Sequence, residues 1–219
     1  MTDPAMRRLN MVEGQLRTNK VTDPRLIRAM SSLSREAFLP GRLAGVAYLD
    51  EDVPLGRGRY LMEPMVFARL VQAAGIGPGD VVLEVGTGCG YGTAVLAALS
   101  STVVSLEGDD ALRASAGAAL QAQGVDNAVL VGGNLPGGHA AQAPYEVIVV
   151  SGAVAQPPRS LLDQLSEGGR LVAVLRPAGE PGRATVWTRR SGIVAARQEF
   201  DANTPYLAGF EPAEAFAFQ

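Results

Sequence analysis

Apolar positions change their spacing twice along this chain, and each change marks a different kind of structure. Met6, Leu9, Val12 and Leu16 recur at a helical interval and give one amphipathic face. Asp23-Pro24 reads as a helix start, with an acid to cap the first amides and proline at the first helical position. Leu26, Met30 and Leu33 share one face of the helix that follows. The stretch 41–60 carries Gly41, Gly45, Gly56, Gly58 and Pro54 and is predicted to be mostly loop. Pro64 opens a further helix with Val66, Phe67, Leu70, Val71 and Ala74 inward, ended by Gly75-Ile76-Gly77-Pro78-Gly79.

From Asp80 the pattern becomes an alternation. Short apolar runs at 81–85, 102–106, 128–131, 146–150 and 170–175 are predicted strands. Helical patterns at 91–99, 110–123 and 160–165 lie between them. Alternation of this kind implies right-handed crossovers and a buried parallel sheet. Near the end, 184–188 and 193–200 are strand-like and flank Arg189-Arg190-Ser191-Gly192, a hairpin signal. The predicted fold is α/β: a Rossmann-like, doubly wound, mostly parallel sheet with a late antiparallel hairpin and a helical N-terminal extension.

Composition narrows the chemistry. The 219 residues suit one α/β unit with additions, and a net charge of −3 supplies no broad basic field for nucleic acid. No stretch approaches the ~18 apolar residues of a membrane span, and Met1 to Asn10 lacks the apolar run of a signal peptide. A cytoplasmic location is therefore expected. Cys89 is the sole cysteine and His139 the sole histidine, so an internal disulfide, a cysteine metal cluster and a two-histidine metal site are all excluded. No metal is expected. His139, in Gly137-Gly138-His139-Ala140, is placed on an exposed surface loop.

The sharpest feature is Leu83-Glu84-Val85-Gly86-Thr87-Gly88-Cys89-Gly90-Tyr91, which ends the first of the alternating strands and opens a helix. Glycines permit a tight turn and close approach of backbone to a ligand. A nicotinamide fingerprint spaces them G-x-G-x-x-G, whereas Gly86, Gly88 and Gly90 are spaced G-x-G-x-G. Glu84, two residues before the first glycine, would repel a pyrophosphate but suits a cofactor carrying an ammonium group. S-adenosylmethionine (SAM) carries one, and a sulfonium besides. Glu107, at the end of the second strand, stands where a carboxylate can take both ribose hydroxyls. Cys89 reads as a small residue that fits the tight loop.

With these pieces the sequence resembles the protein-L-isoaspartate O-methyltransferase family of class I SAM-dependent methyltransferases, over most of its length. The resemblance rests on Ala47-Tyr48-Leu49-Asp50 with Pro54-Leu55-Gly56, on 83–96, on Ala143-Pro144-Tyr145-Glu146 and Ser151-Gly152-Ala153, and on Leu162-Asp163-Gln164-Leu165 with Gly168-Gly169-Arg170-Leu171-Val172. It implies a SAM cofactor and a protein or peptide substrate, methylated on a carboxylate such as that of L-isoaspartyl residues in aged proteins. Residues 1–79 would form the helical extension and acceptor loop, and 80–219 the SAM-binding part. Glu84, Gly86, Thr87, Gly88, Cys89 and Gly90 would hold the methionine end, Glu107 the ribose, and Gly133 and Asn134 the adenine side.

Two positions depart from the family's pattern. Tyr60-Leu61-Met62 stands where the family carries threonine, isoleucine and a functional serine, so Met62 takes the serine's place. Gly132-Gly133-Asn134 stands where the family has Gly-Asp-Gly, and Gly108 omits a larger side chain often packed on the adenine. Arg57 and Arg59 could hold an acceptor carboxylate in compensation, with the Tyr60 hydroxyl close by. Glu63 is expected to cap the helix after it. Because of Met62, a SAM methyltransferase for another acceptor and a non-catalytic SAM-binding adaptor stand as alternatives.

Overall fold

A computed structural model of the chain describes residues 3–156 and 159–213. Met1, Thr2 and residues 214–219, the outer ends of the two expected regions, lie outside the described residues, as do Pro157 and Pro158. The N-terminal part is helical, as its periodicity implies: α1 (Pro4–Met11), which continues into a π-helical turn, Val12–Leu16, and α2 (Pro24–Ser32). Asp23 caps α2 by accepting from the amides of Arg25 and Leu26 at 2.8 and 3.4 Å.

The glycine-rich stretch before Pro64 is more ordered than its composition suggests. It holds a 3-10 segment, Gly41–Val46, and a two-stranded hairpin, β1 (Val53–Gly56) and β2 (Arg59–Leu61). Arg57 (φ 55°) and Gly58 (φ 68°) supply the left-handed backbone of the turn between them. Glu63 stands at the N-cap position of α3 (Pro64–Ala74), but among the described residues its side chain makes no capping hydrogen bond.

The main sheet comprises β3 (Val81–Val85), β4 (Thr102–Glu107), β5 (Ala128–Gly132), β6 (Tyr145–Val154), β7 (Leu165–Leu175), β8 (Arg183–Arg190) and β9 (Ile193–Asp201). Their order is β5-β4-β3-β6-β7-β8-β9 among the described residues, parallel from β5 to β7 and antiparallel beyond. The connecting helices are α4 (Tyr91–Ala97), α5 (Asp110–Ala122) and the short α6 (Arg159–Leu162). This α6 is shorter than expected because Leu165 already pairs with Tyr145 as the start of β7.

The chain begins its sheet in the middle, at β3, winds outward to β5, then returns to place β6 on the other side of β3. That reversal leaves a crevice at the carboxyl ends of β3 and β6, where doubly wound folds bind their ligands. The N-terminal helices share one buried apolar cluster with the sheet: Leu16, Leu26 and Met30 belong to the same core as Val82, Val147 and Val172. Arg170 ties α3 to this assembly, donating to the carbonyls of Ala74 and Gly75 at 2.5 Å each and to Asp80 at 2.8 Å. His139 is half-buried rather than exposed: Gln164 accepts from its amide, and the Tyr145 hydroxyl donates to its carbonyl.

After β9 the chain turns back over the crevice. Ala153 donates to the Pro205 carbonyl and accepts from the amide of Leu207, both at 2.9 Å. This strap puts Leu207 directly on the glycine loop, where a Cβ on Gly86 would stand 2.9 Å from its side chain.

Candidate active site

The glycine loop ends β3 at the crevice. Gly86, Gly88 and Gly90 have φ values of 94°, 55° and 88°, a left-handed sequence that side chains rarely adopt. The amides of Gly86 and Thr87 donate to the Leu106 carbonyl at 2.9 and 3.3 Å, which fastens the loop to the end of β4. Two carboxylates flank it, one on each of these neighbouring strands.

Glu84 is 1% exposed. It accepts from the hydroxyls of Thr93 at 2.5 Å, Ser105 at 2.7 Å and Ser151 at 3.2 Å. The Thr87 and Ser105 oxygens lie 2.6 Å apart and extend the network beneath the loop. Gly92 makes room for the carboxylate: a Cβ there would fall 2.4 Å from Glu84 Oε1. Burial pushes the Glu84 carboxyl up to about 7, against the pull of its three hydroxyl donors, and the nearby Glu107 adds to the rise.

Glu107 is fully buried and accepts from the amides of Gly88 at 3.0 Å and Asp109 at 3.1 Å. It also carries a salt bridge. Arg59 Nε and Nη2 donate to Glu107 Oε1 at 3.1 and 3.0 Å.

Around these acids the crevice has two ends. One is a narrow cleft of about 300 Å³, open solvent included, lined by Tyr60, Leu61 and Met62 from the hairpin, and by Glu84, Gly86, Thr87, Cys89, Tyr91 and Ser151. The other, about 810 Å³ and open, is lined by Arg57, Arg59, Gly108, Asp109, Gly133, Asn134 and the strap residues Ala208 and Gly209. The first gathers the glycine loop with the residues at the family's serine position. The second gathers the residues expected near an adenosine.

The arginines do not sit where compensation for the missing serine requires them. Both turn toward the second end: Arg59 onto Glu107, and Arg57 onto Asp109 Oδ2 at 2.8 Å. The reason is charge: Glu107 and Asp109 face that end, whereas Glu84, the acid of the first end, is buried and already accepts from three hydroxyls. Met62 is buried and Tyr60 is partly exposed, both at the first end. Asn134 is exposed at the second.

Several residues of the site carry little sequence signal. Ser105 and Thr93 are buried hydroxyls with apolar neighbours on either side, and that polar interruption is the mark by which they could have been found. Arg35 is fully buried, donates to the Ala47 carbonyl at 2.6 Å and to the Met62 carbonyl, and so fixes the hairpin's end. Its guanidinium lies 4.9 Å from the Tyr91 ring centroid. Asp52 joins the hairpin to the strap, accepting from Glu63 N and from Thr204 Oγ1, both at 3.0 Å.

Comparison with known proteins agrees with this architecture. Residues 6–201 match the family model described as protein-L-isoaspartate(D-aspartate) O-methyltransferase (PCMT). A protein-L-isoaspartate O-methyltransferase of Methylorubrum populi is 40% identical over 186 residues, 85% of each chain. One from Koribacter versatilis is 40% identical over 181 residues, 83% of this chain and 80% of its own. A structure solved as a beta-aspartate methyltransferase (PCMT) from Plasmodium falciparum with S-adenosyl-L-homocysteine shares the fold, with a TM-score of 0.78 at 18% identity, covering 94% of this chain and 99% of that one. With the glycine loop, its two flanking acids and this match over most of its length, the chain belongs to the protein-L-isoaspartate(D-aspartate) O-methyltransferase family.

Proposed function

We propose that the chain methylates a carboxylate with SAM, the acceptor being the free α-carboxylate of L-isoaspartyl residues in proteins. One observation carries the cofactor assignment: a left-handed glycine loop at the sheet's switch point, between two buried carboxylates on adjacent strands. Glu84 suits an ammonium group, and the loop backbone from Gly86 to Gly90, with Thr87 and Cys89, suits the methionine end. Glu107 suits a pair of ribose hydroxyls, with Gly133 and Asn134 toward the adenine. The second end of the crevice has the open side that a nucleoside needs to enter.

When bound, SAM supplies an electrophilic methyl group, which an acceptor oxygen takes with one lone pair while the carbon–sulfur bond's electrons remain on sulfur. A carboxylate is already ionised at neutral pH, so the chain needs no general base. Its task is to place that oxygen in line and keep water out. Met62, Leu61 and Tyr60 line the end where the transfer would take place. The buried Met62 gives that end an apolar wall, and it is the observation that favours a second reading, a different methyl acceptor. Among the described residues no helix is long and apolar enough to cross a membrane, and we place the protein in the cytoplasm.

Incubation of the protein with SAM and an isoaspartyl peptide tests the proposal. It expects a base-labile methyl ester whose formation Glu107→Ala abolishes. SAM binding without transfer to that peptide, but with transfer to another carboxylate, would select the second reading.

A further inference from the structure

Glu107 is the acid to which the proposed reading assigns the ribose, and in the structure its oxygens are already occupied. Oε1 accepts from Arg59 Nε, Arg59 Nη2 and the Asp109 amide; Oε2 accepts from the Gly88 amide, and Arg59 Nε lies 3.4 Å away. A carboxylate offers about four lone-pair sites and four N–H donors already crowd this one, so ribose hydroxyls find only the outer side of Oε2 free, and there Arg59 Nε stands in the way. The guanidinium and the carboxylate are 8% and 0% exposed, which makes this a desolvated ion pair rather than a surface contact.

The guanidinium comes from outside the nucleotide-binding sheet, on β2. It reaches over Gly108, where a Cβ would stand 3.8 Å from Arg59 Nη2 and 3.1 Å from the Gly133 carbonyl. A larger residue at 108 would contend for that space, and the bare glycine leaves it to the arginine.

Building on the SAM reading, we infer that Arg59 is a displaceable occupant of the ribose seat, competing from within the chain for Glu107 and thereby setting cofactor affinity. The exchange is donor for donor: two hydroxyls replace two N–H groups on the same carboxylate. The guanidinium then moves into the open end of the crevice, where Asp109 already holds Arg57. Arg59 is three residues from Met62 on one continuous strand and loop, so its departure reaches the acceptor end directly. The resting state keeps Glu107 neutralised and aimed, and the return of Arg59 helps expel the demethylated product.

Calorimetric titration with S-adenosyl-L-homocysteine, which cannot transfer a methyl group, tests this on the wild type, Arg59→Gln and Arg59→Met. A paired state that outnumbers the open one by about ten to one weakens apparent affinity by about tenfold, so removing the guanidinium should tighten binding by that factor. A residue that merely supports the fold would not produce tighter binding. Arg59→Met keeps the bulk of the stem and serves if the glutamine variant does not fold. Equal or weaker binding by a folded Arg59 variant, with the wild type binding, overturns the inference and leaves the SAM reading intact. Failure of wild type and variants alike to bind overturns both.

Discussion

Replacing Glu84 with glutamine tests how a buried carboxyl recognises a cation. The wild-type group is shut in by the glycine loop and α4, accepts three hydroxyls, and is pushed by burial from its ordinary value of 4.5 up to about 7. Only the ionised form attracts an ammonium group. With a pKa of about 7, roughly one molecule in ten is ionised at pH 6, so affinity there should be about tenfold below its plateau. The ligand's α-amino group, held charged by its own neighbouring carboxylate, titrates above this range, so the slope reports the protein. Calorimetry with S-adenosyl-L-homocysteine from pH 5.5 to 7.5 should therefore show affinity rising with pH, and Glu84→Gln should bind weakly with no such rise. Glu63 is also pushed up to about 7, by burial and by Asp50, Asp52 and Glu51, so Glu63→Gln is the control and should keep the slope.

The same group affects stability with a defined sign. The native carboxyl keeps its proton up to about 7, while the unfolded one releases it near 4.5. Between these values the unfolded state binds fewer protons, so stability falls as pH rises, by about 3 kcal/mol in all. Glu84→Gln should lack that fall. A wild-type affinity that is flat from pH 5.5 to 7, or a slope that survives in Glu84→Gln, would refute the reasoning.

Other substitutions address separate parts of the account. Met62→Ser should raise turnover on an isoaspartyl peptide by about tenfold or more, within the reach of one positioned group. It should leave cofactor affinity unchanged and lower stability by about 2 kcal/mol through the lost buried side chain; no gain in turnover points to another acceptor. Tyr91→Phe removes a buried hydroxyl that faces the Arg35 guanidinium without a hydrogen bond of good geometry, so urea unfolding should show stability changed by no more than about 1 kcal/mol. A loss larger than that would mean the hydroxyl is bonded. Arg170→Ala leaves the carbonyls of Ala74 and Gly75 without their side-chain donor and Asp80 Oδ2 with the Gly77 amide but no cation. It should cost about 2–3 kcal/mol in the same assay, and a change below about 0.5 kcal/mol would contradict that role.

The alternation of strands and helices from Asp80 onward was legible because a buried parallel sheet writes itself as apolar runs with fixed punctuation. The glycine loop and both acids were legible for a related reason, since the backbone and charges they require allow few residue types. The β1–β2 hairpin was not, because glycines that signal a loop also make tight hairpin turns, and its strands are too short for a period to show. The orientation of Arg57 and Arg59 was hidden altogether. It depends on Glu107 and Asp109, about fifty positions away, and spacing carries no information about which end of a crevice a long side chain will choose. The strap through Leu207 has no period to announce it, though the small Gly86 and Gly152 on which it lies are its imprint.

The account turns on a sulfonium nucleoside lying between Glu84 and Glu107, and a crystal structure of the protein with S-adenosyl-L-homocysteine tests this most directly. The ribose hydroxyls should be within about 3.0 Å of the Glu107 oxygens, with the ammonium group toward Glu84 and the Arg59 guanidinium displaced. A ligand bound elsewhere, with Arg59 still paired to Glu107, would contradict it.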